Sequence, residues 1–142
     1  MRIRAHVKNG DGKHDVRLET NETARSLAIP PKSSGAGSSA NGGELLFLAL
    51  ATCYCNDIYR EAARRKIKVV AVEVDVEGDF GAEGEPARNV TYSAKVAAEA
   101  PEDTIRQLMT DTDRVAEIQN TLRLGMHVTL ARVEAVSVRT GS

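Results

Sequence analysis

Two cysteines one residue apart, Cys53 and Cys55, are the side chains best suited to chemistry in this 142-residue sequence. A thiol acts as a nucleophile only when ionised, and ionisation needs a cation, a helix N-terminus or a hydrogen-bond donor close by. Asp57 follows Cys53 at i+4 and opposes a thiolate, while Arg60 lies two turns on along roughly the same face. Cys is also among the most buried residue types, so packing alone accounts for either cysteine equally well. Spacing of i and i+2 on a helix rules out a disulfide between the two, because the Cβ atoms would have to approach to about 4 Å. A metal site needs further ligands of the right spacing, and His6, His14 and His127 lie on expected strands, so none is assigned. Glu44 is the nearest acidic residue upstream: a base, or a first-turn residue answering the helix dipole. The glycines between Gly35 and Gly43 lack the Lys-Ser/Thr pair of a phosphate loop.

The elements that must position these groups follow from periodicity. Leu45 to Cys55 is apolar except for Thr52, within a helix expected from about Gly43 to Arg65. A helix apolar on every face is buried on every face, which a chain of this length cannot achieve alone, so an oligomer is expected. From Asn56 the pattern turns amphipathic, with Ile58, Tyr59, Ala62 and Ala63 facing in and Arg60, Glu61, Arg64 and Arg65 facing out. Upstream, Ile3, Ala5 and Val7 alternate with polar residues. Asn9-Gly10-Asp11-Gly12 makes a hairpin turn, and Val16 and Leu18 mark a second strand. A short third strand is expected around Ser26 to Ile29. The Gly/Ser-rich stretch Ser33 to Gly43 reads either as a flexible linker or as a loop leading to an Asn41 helix cap.

Downstream, Val70, Val72, Val74 and Val76 alternate with acidic residues, and Val90, Tyr92, Ala94 and Val96 repeat the pattern, giving a second hairpin. Pro101 opens a helix carrying Ile105, Leu108, Met109, Thr112 and Val115. A further helical piece carries Ile118 and Leu122 and stops at Gly125. A last strand is expected from Met126 to Val138. The sum is an α+β fold with antiparallel sheets around one long central helix, in a single domain spanning 1–142.

Composition narrows the function. Nineteen Lys and Arg against twenty Asp and Glu leave a net charge of -1, which disfavours nucleic-acid and anionic-membrane partners. With aromatics at 4% and no Trp, platforms for stacking bases are scarce. The apolar run is too short for a bilayer, and MRIRAHVKNGDG has no apolar core of a signal peptide, so a cytoplasmic protein is expected.

Ala40-Asn41-Gly42-Gly43-Glu44-Leu45-Leu46-Phe47-Leu48-Ala49-Leu50-Ala51-Thr52-Cys53 resembles the OsmC/Ohr family segment in which Asn-Pro-Glu-Glu/Gln-Leu leads into an Ala-rich helix ending in Ala-Ala-Cys. The loop from Pro30 to Ser39 is similar as well, and Arg114 to Leu122 resembles the family's Cys-Pro-X-Ser helix segment. The resemblance implies an OsmC-like α+β fold built as an intertwined homodimer. It also implies reduction of small-molecule organic hydroperoxides by two cysteines, without cofactor or metal, with an Arg and a Glu steering the first thiol. The reactive Cys falls on Cys53 and the resolving Cys on Ala116. The Glu falls on Gly43, leaving Glu44 one residue late and turned by about 100°. The Arg belongs near the Asn9–Gly12 turn, flanked here only by Lys8 and Lys13, which cannot copy a bidentate guanidinium. Catalysis would then rest on Cys53 and Glu44, with Cys55 accessory and an external thiol as reductant. Two other readings stand beside this one-cysteine peroxidase: a protein binding a small apolar or electrophilic ligand at the dimer interface, and an idle member whose Cys53 only packs.

Overall fold

A computed structural model describes residues 1–138. Strands β1 (Ile3–Gly10), β2 (Lys13–Thr20) and β3 (Thr23–Ser26) form one antiparallel sheet in that order. The first turn places Asp11 and Gly12 at positive φ, as a two-residue hairpin of right-handed strands requires. Asn21 and Glu22 do the same at the second turn, so β3 begins earlier than the apolar residues after Ser26 suggest. The Gly/Ser-rich segment is an ordered loop. Lys32 N–H donates to the Gly37 carbonyl at 2.9 Å, Ser39 N–H to Pro30 at 3.0 Å, and the Asn9 side chain holds both backbone groups of Gly37.

Helix α1 (Gly42–Arg64) opens with a capping box: the Asn41 side chain accepts from Glu44 N–H at 2.8 Å, and the Glu44 carboxylate accepts from Asn41 N–H at 2.9 Å. Its second half carries the core, where Tyr54, Ile58 and Ala62 meet Leu108. Leu108 belongs to α2 (Glu102–Val115). Strands β4 (Lys68–Asp79) and β5 (Arg88–Glu99) pair antiparallel and lay Val72, Val74, Tyr92, Ala94 and Val96 against that cluster. A bulge between Val69 and Ala71 breaks the expected alternation: Val69 packs inward and Val70 is 63% exposed. Helix α3 (Glu117–Leu124) follows α2 after a break at Ala116, and Gly125 ends it at positive φ.

The first half of α1 is not enclosed within one chain, in line with its all-round apolar pattern in a chain of this length: Leu48 is 58% exposed. Two expectations are corrected. Glu61, expected outside, is buried, while Tyr59 and Ala63, expected inside, are exposed. Residues 126–138, expected as a last strand, form none: they pair with neither sheet, and without a ladder partner an alternating segment is not a strand; Val128, Leu130, Val133 and Val136 all remain exposed. Among the described residues the β1–β2–β3 sheet has no extensive packing on any helix, and Ile3 and Val7 stay uncovered. No helix among the described residues is long and apolar enough to cross a membrane.

Candidate functional site

Cys53, Asp57, Arg60, Glu61 and Arg64 stand at i, i+4, i+7, i+8 and i+11 of α1, a spacing that stacks them on one stripe. Tyr54, the next residue, turns to the other side. Its hydroxyl donates to the Met109 carbonyl at 2.8 Å, and burial pushes it up to about 12. The stripe meets the first turn of α3. The Cys53 thiol there lies 3.5 Å from Asp57 Oδ2 and 3.8 Å from Glu117 Oε2, as donor to either. Arg60 Nη1 reaches the outer oxygen of each carboxylate, Asp57 Oδ1 at 3.2 Å and Glu117 Oε1 at 2.9 Å. One guanidinium therefore turns both inner oxygens toward sulfur. Behind it, Arg60 Nε and Arg64 share Glu61 Oε1.

Burial is the main cause that raises the Cys53 thiol above its ordinary value. The Ile118 backbone N–H opposes this, and the charges of Asp57 and Glu117 reinforce it. Burial and both carboxylates thus favour the thiol over the thiolate at Cys53, with the proton facing two acceptors. Burial also raises Asp57, which is only 6% exposed, and its contact with Glu117 adds to the effect. Glu117 is held low, first by its own backbone N–H at the start of α3 and then by Asp57 and Arg60.

Of the residues singled out in the sequence, Cys53 reaches this cluster and Glu44 does not. Glu44 is spent on the helix cap, nine residues or about 13 Å along the axis from Cys53. Cys55 is half-buried and, like Cys53, a free thiol. Gly43, where the resemblance sets a Glu, has no room for a side chain: a Cβ there would lie 2.8 Å from Phe80 Cε2. Phe80 is held over it by stacking on Phe47, with ring centroids 5.9 Å apart. Ala116, where a resolving Cys would fall, is fully buried at the α2–α3 break, immediately before the Glu117 that touches Cys53. Sequence reasoning missed Glu117; its only signal was a carboxylate in the first turn after that break. Among the described residues, Cys53, Asp57 and Glu117 form a group of ligand-type atoms within 4.8 Å of one another, but Arg60 already supplies the positive charge there.

One turn before Cys53, an apolar cleft of about 550 Å³ opens between Leu46, Phe47 and Leu50 of α1, Val90 of β5 and Leu122 of α3. Gln119 borders it, donating to the Leu50 carbonyl at 3.0 Å and leaving its buried Oε1 without a partner.

Residues 35–131 match the family model described as OsmC-like protein. The chain belongs to this family. No curated protein matches it. Among solved structures, an OsmC-like protein from Mycoplasma pneumoniae aligns with TM-score 0.59 at 16% identity, over 86% of each chain. An OsmC-like protein of unknown function from Vibrio cholerae gives 0.57 at 13%, over 86% of this chain and 94% of that one. An organic hydroperoxide resistance protein from Legionella pneumophila gives 0.52 at 20%, over 86% and 88%. At such identities these relatives establish the OsmC-like α+β fold.

Proposed function

We propose that this OsmC-like protein is a one-cysteine, thiol-dependent hydroperoxide reductase acting in oxidative-stress defence in the cytoplasm. Cys53 is its reactive residue. Carrying the reading is one juxtaposition: the half-buried Cys53 thiol has carboxylate acceptors at 3.5 and 3.8 Å and the Ile118 N–H beside it, one turn from an apolar cleft. The cleft suits the alkyl body of an organic hydroperoxide. The Legionella relative's name as a hydroperoxide resistance protein agrees with that substrate class.

In the first half-reaction the sulfur attacks the terminal peroxide oxygen, giving Cys53 sulfenic acid and the alcohol ROH. Ala116 offers no thiol, so two external thiols, or one dithiol, return the sulfenic acid to thiol with release of water and a disulfide. Turnover with an organic hydroperoxide should depend on added thiol and vanish in Cys53→Ser, while Cys55→Ser keeps most of it. If wild type consumes no more hydroperoxide than Cys53→Ser with every reductant tried, the reading is wrong.

The working unit in this proposal is an intertwined homodimer. Its support is the β1–β2–β3 sheet with no extensive helix packing, the open face at Leu48 and the uncovered apolar residues of 126–138. A folded monomer at micromolar concentration in sedimentation would overturn it. The cleft and its unpartnered Gln119 Oε1 favour a second reading, binding of a small apolar ligand that carries a hydrogen-bond donor. In that case Cys53→Ser would still be stabilised by such a ligand.

A further inference from the structure

We infer that Asp57 is the proton carrier of the Cys53 reaction, with Arg60 as the positioning residue that aims it. This rests on the reductase reading and assigns roles that Glu44 and the Asn9–Gly12 turn do not fill.

The charged groups facing Cys53 are Asp57 on its own helix and Glu117 from α3, with Arg60 against both and Glu61 and Arg64 beyond. A thiol that rests protonated has to lose its proton as sulfur attacks the peroxide. The leaving alkoxide has to gain one. Asp57 Oδ2 lies at 3.5 Å from Sγ, fixed by the i+4 relation on a rigid helix and by the Arg60 contact to Oδ1. In the reaction Oδ2 accepts the thiol proton while the S–O bond forms and the O–O bond breaks. Asp57 then passes that proton to the alkoxide oxygen, leaving Cys53 sulfenic acid, ROH and an unchanged carboxylate. Sulfur loses two electrons and the peroxide gains them, so no further co-reactant enters this step.

Asp57 is better suited to this than Glu117 on three counts. It is closer to sulfur, and it is sealed from water where the Glu117 side chain is 61% exposed. Burial also favours its protonated form, whereas Glu117 is held ionised. A carrier must take the proton and hold it for the leaving group.

The test compares two reactions of Cys53 in the full chain under single turnover. Alkylation by iodoacetamide needs only a thiolate. Sulfenic acid formation with cumene hydroperoxide, trapped by dimedone and read by mass spectrometry, also needs the proton delivered. Asp57→Asn removes a negative charge facing sulfur, so alkylation at fixed neutral pH should rise several-fold, toward about tenfold for a one-unit shift. The hydroperoxide step should instead fall about 100-fold. Asp57→Glu should recover most of it, and Glu117→Gln, which removes the second acceptor, should lose clearly less than Asp57→Asn, about tenfold at most. Should Asp57→Asn fail to fold, the Asp57→Glu and Glu117→Gln rates decide the matter. A hydroperoxide rate that holds or rises along with alkylation in Asp57→Asn would reduce Asp57 to an electrostatic brake and overturn the inference, as would a Glu117→Gln loss of about 100-fold. If wild type forms no sulfenic acid beyond the Cys53→Ser background, the reductase reading fails first and this role with it.

Discussion

Gly43 sits in the first turn of α1 under the ring of Phe80, and Gly43→Ala tests whether that ring is what bars a side chain there. An alanine Cβ would stand 2.8 Å from Phe80 Cε2 and 3.2 Å from Cζ, well inside ordinary contact. The ring has to leave. Phe80 is 53% exposed, so it can swing away without breaking the core, but it gives up its stack on Phe47. That pair is worth about 0.5–1.5 kcal/mol. Against this, replacing a helical glycine by alanine returns about 0.5–1 kcal/mol. The single substitution should therefore fall between about 0.5 kcal/mol stabilising and about 1 kcal/mol destabilising. With Phe80→Ala in the background the ring clash is gone and only the tighter approach to Asn41 Oδ1, at 3.3 Å, stands against the propensity gain, so the same change should stabilise by up to about 0.5–1 kcal/mol. The difference is a coupling of about 1 kcal/mol, measurable by urea unfolding of the four variants at one protein concentration. Equal stabilisation by Gly43→Ala in both backgrounds would refute the reasoning, and with it the steric account of why the family's Glu position holds Gly here.

Removing the hydroxyl in Tyr54→Phe keeps the packed ring but loses the 2.8 Å bond to the Met109 carbonyl, and should cost about 1 kcal/mol in urea unfolding. Asp113 is pulled up by burial, yet the Tyr92 hydroxyl and Arg123, at 2.7 Å, hold its carboxyl below the usual range. A folded value below the unfolded one stabilises above the unfolded value and is lost as pH falls through the folded value. Stability should thus decline below about pH 4, and an Asp113→Asn variant should decline less steeply over that range. Peroxide treatment of the native protein should yield no Cys53–Cys55 disulfide as main product, by mass spectrometry, because both sit on an unbroken helix at i and i+2.

Much of the local structure was legible in the sequence because it is set by neighbours along the chain. The Asn41 cap, the two hairpins and the helix opened by Pro101 follow from cap chemistry, turn residues and periodicity, while the return bond from Glu44 that closes the capping box came only with the structure. The stripe that carries Cys53, Asp57 and Arg60 was legible too, because helical spacing alone stacks those residues. The bulge at Val70 was not legible, since an extra residue in a ladder leaves an apolar alternation looking intact. Nor was the burial of Glu61, which two arginines make tolerable. The fate of Met126 to Val138 was equally hidden, because alternation marks residues able to form a strand but not whether another strand pairs with them.

The sequence by itself determined that Cys53 lies on a long helix with an acid at i+4 and a guanidinium at i+7. Only the tertiary structure decided that Glu117 arrives from another helix and that Arg60 bridges the two carboxylates. It alone decided that Phe80 fills the space over Gly43. The contacts made by Glu117 and Phe80 join residues between 37 and 64 positions apart in the chain, and no local periodicity encodes a meeting set by how α1 packs against α3 and the end of β4.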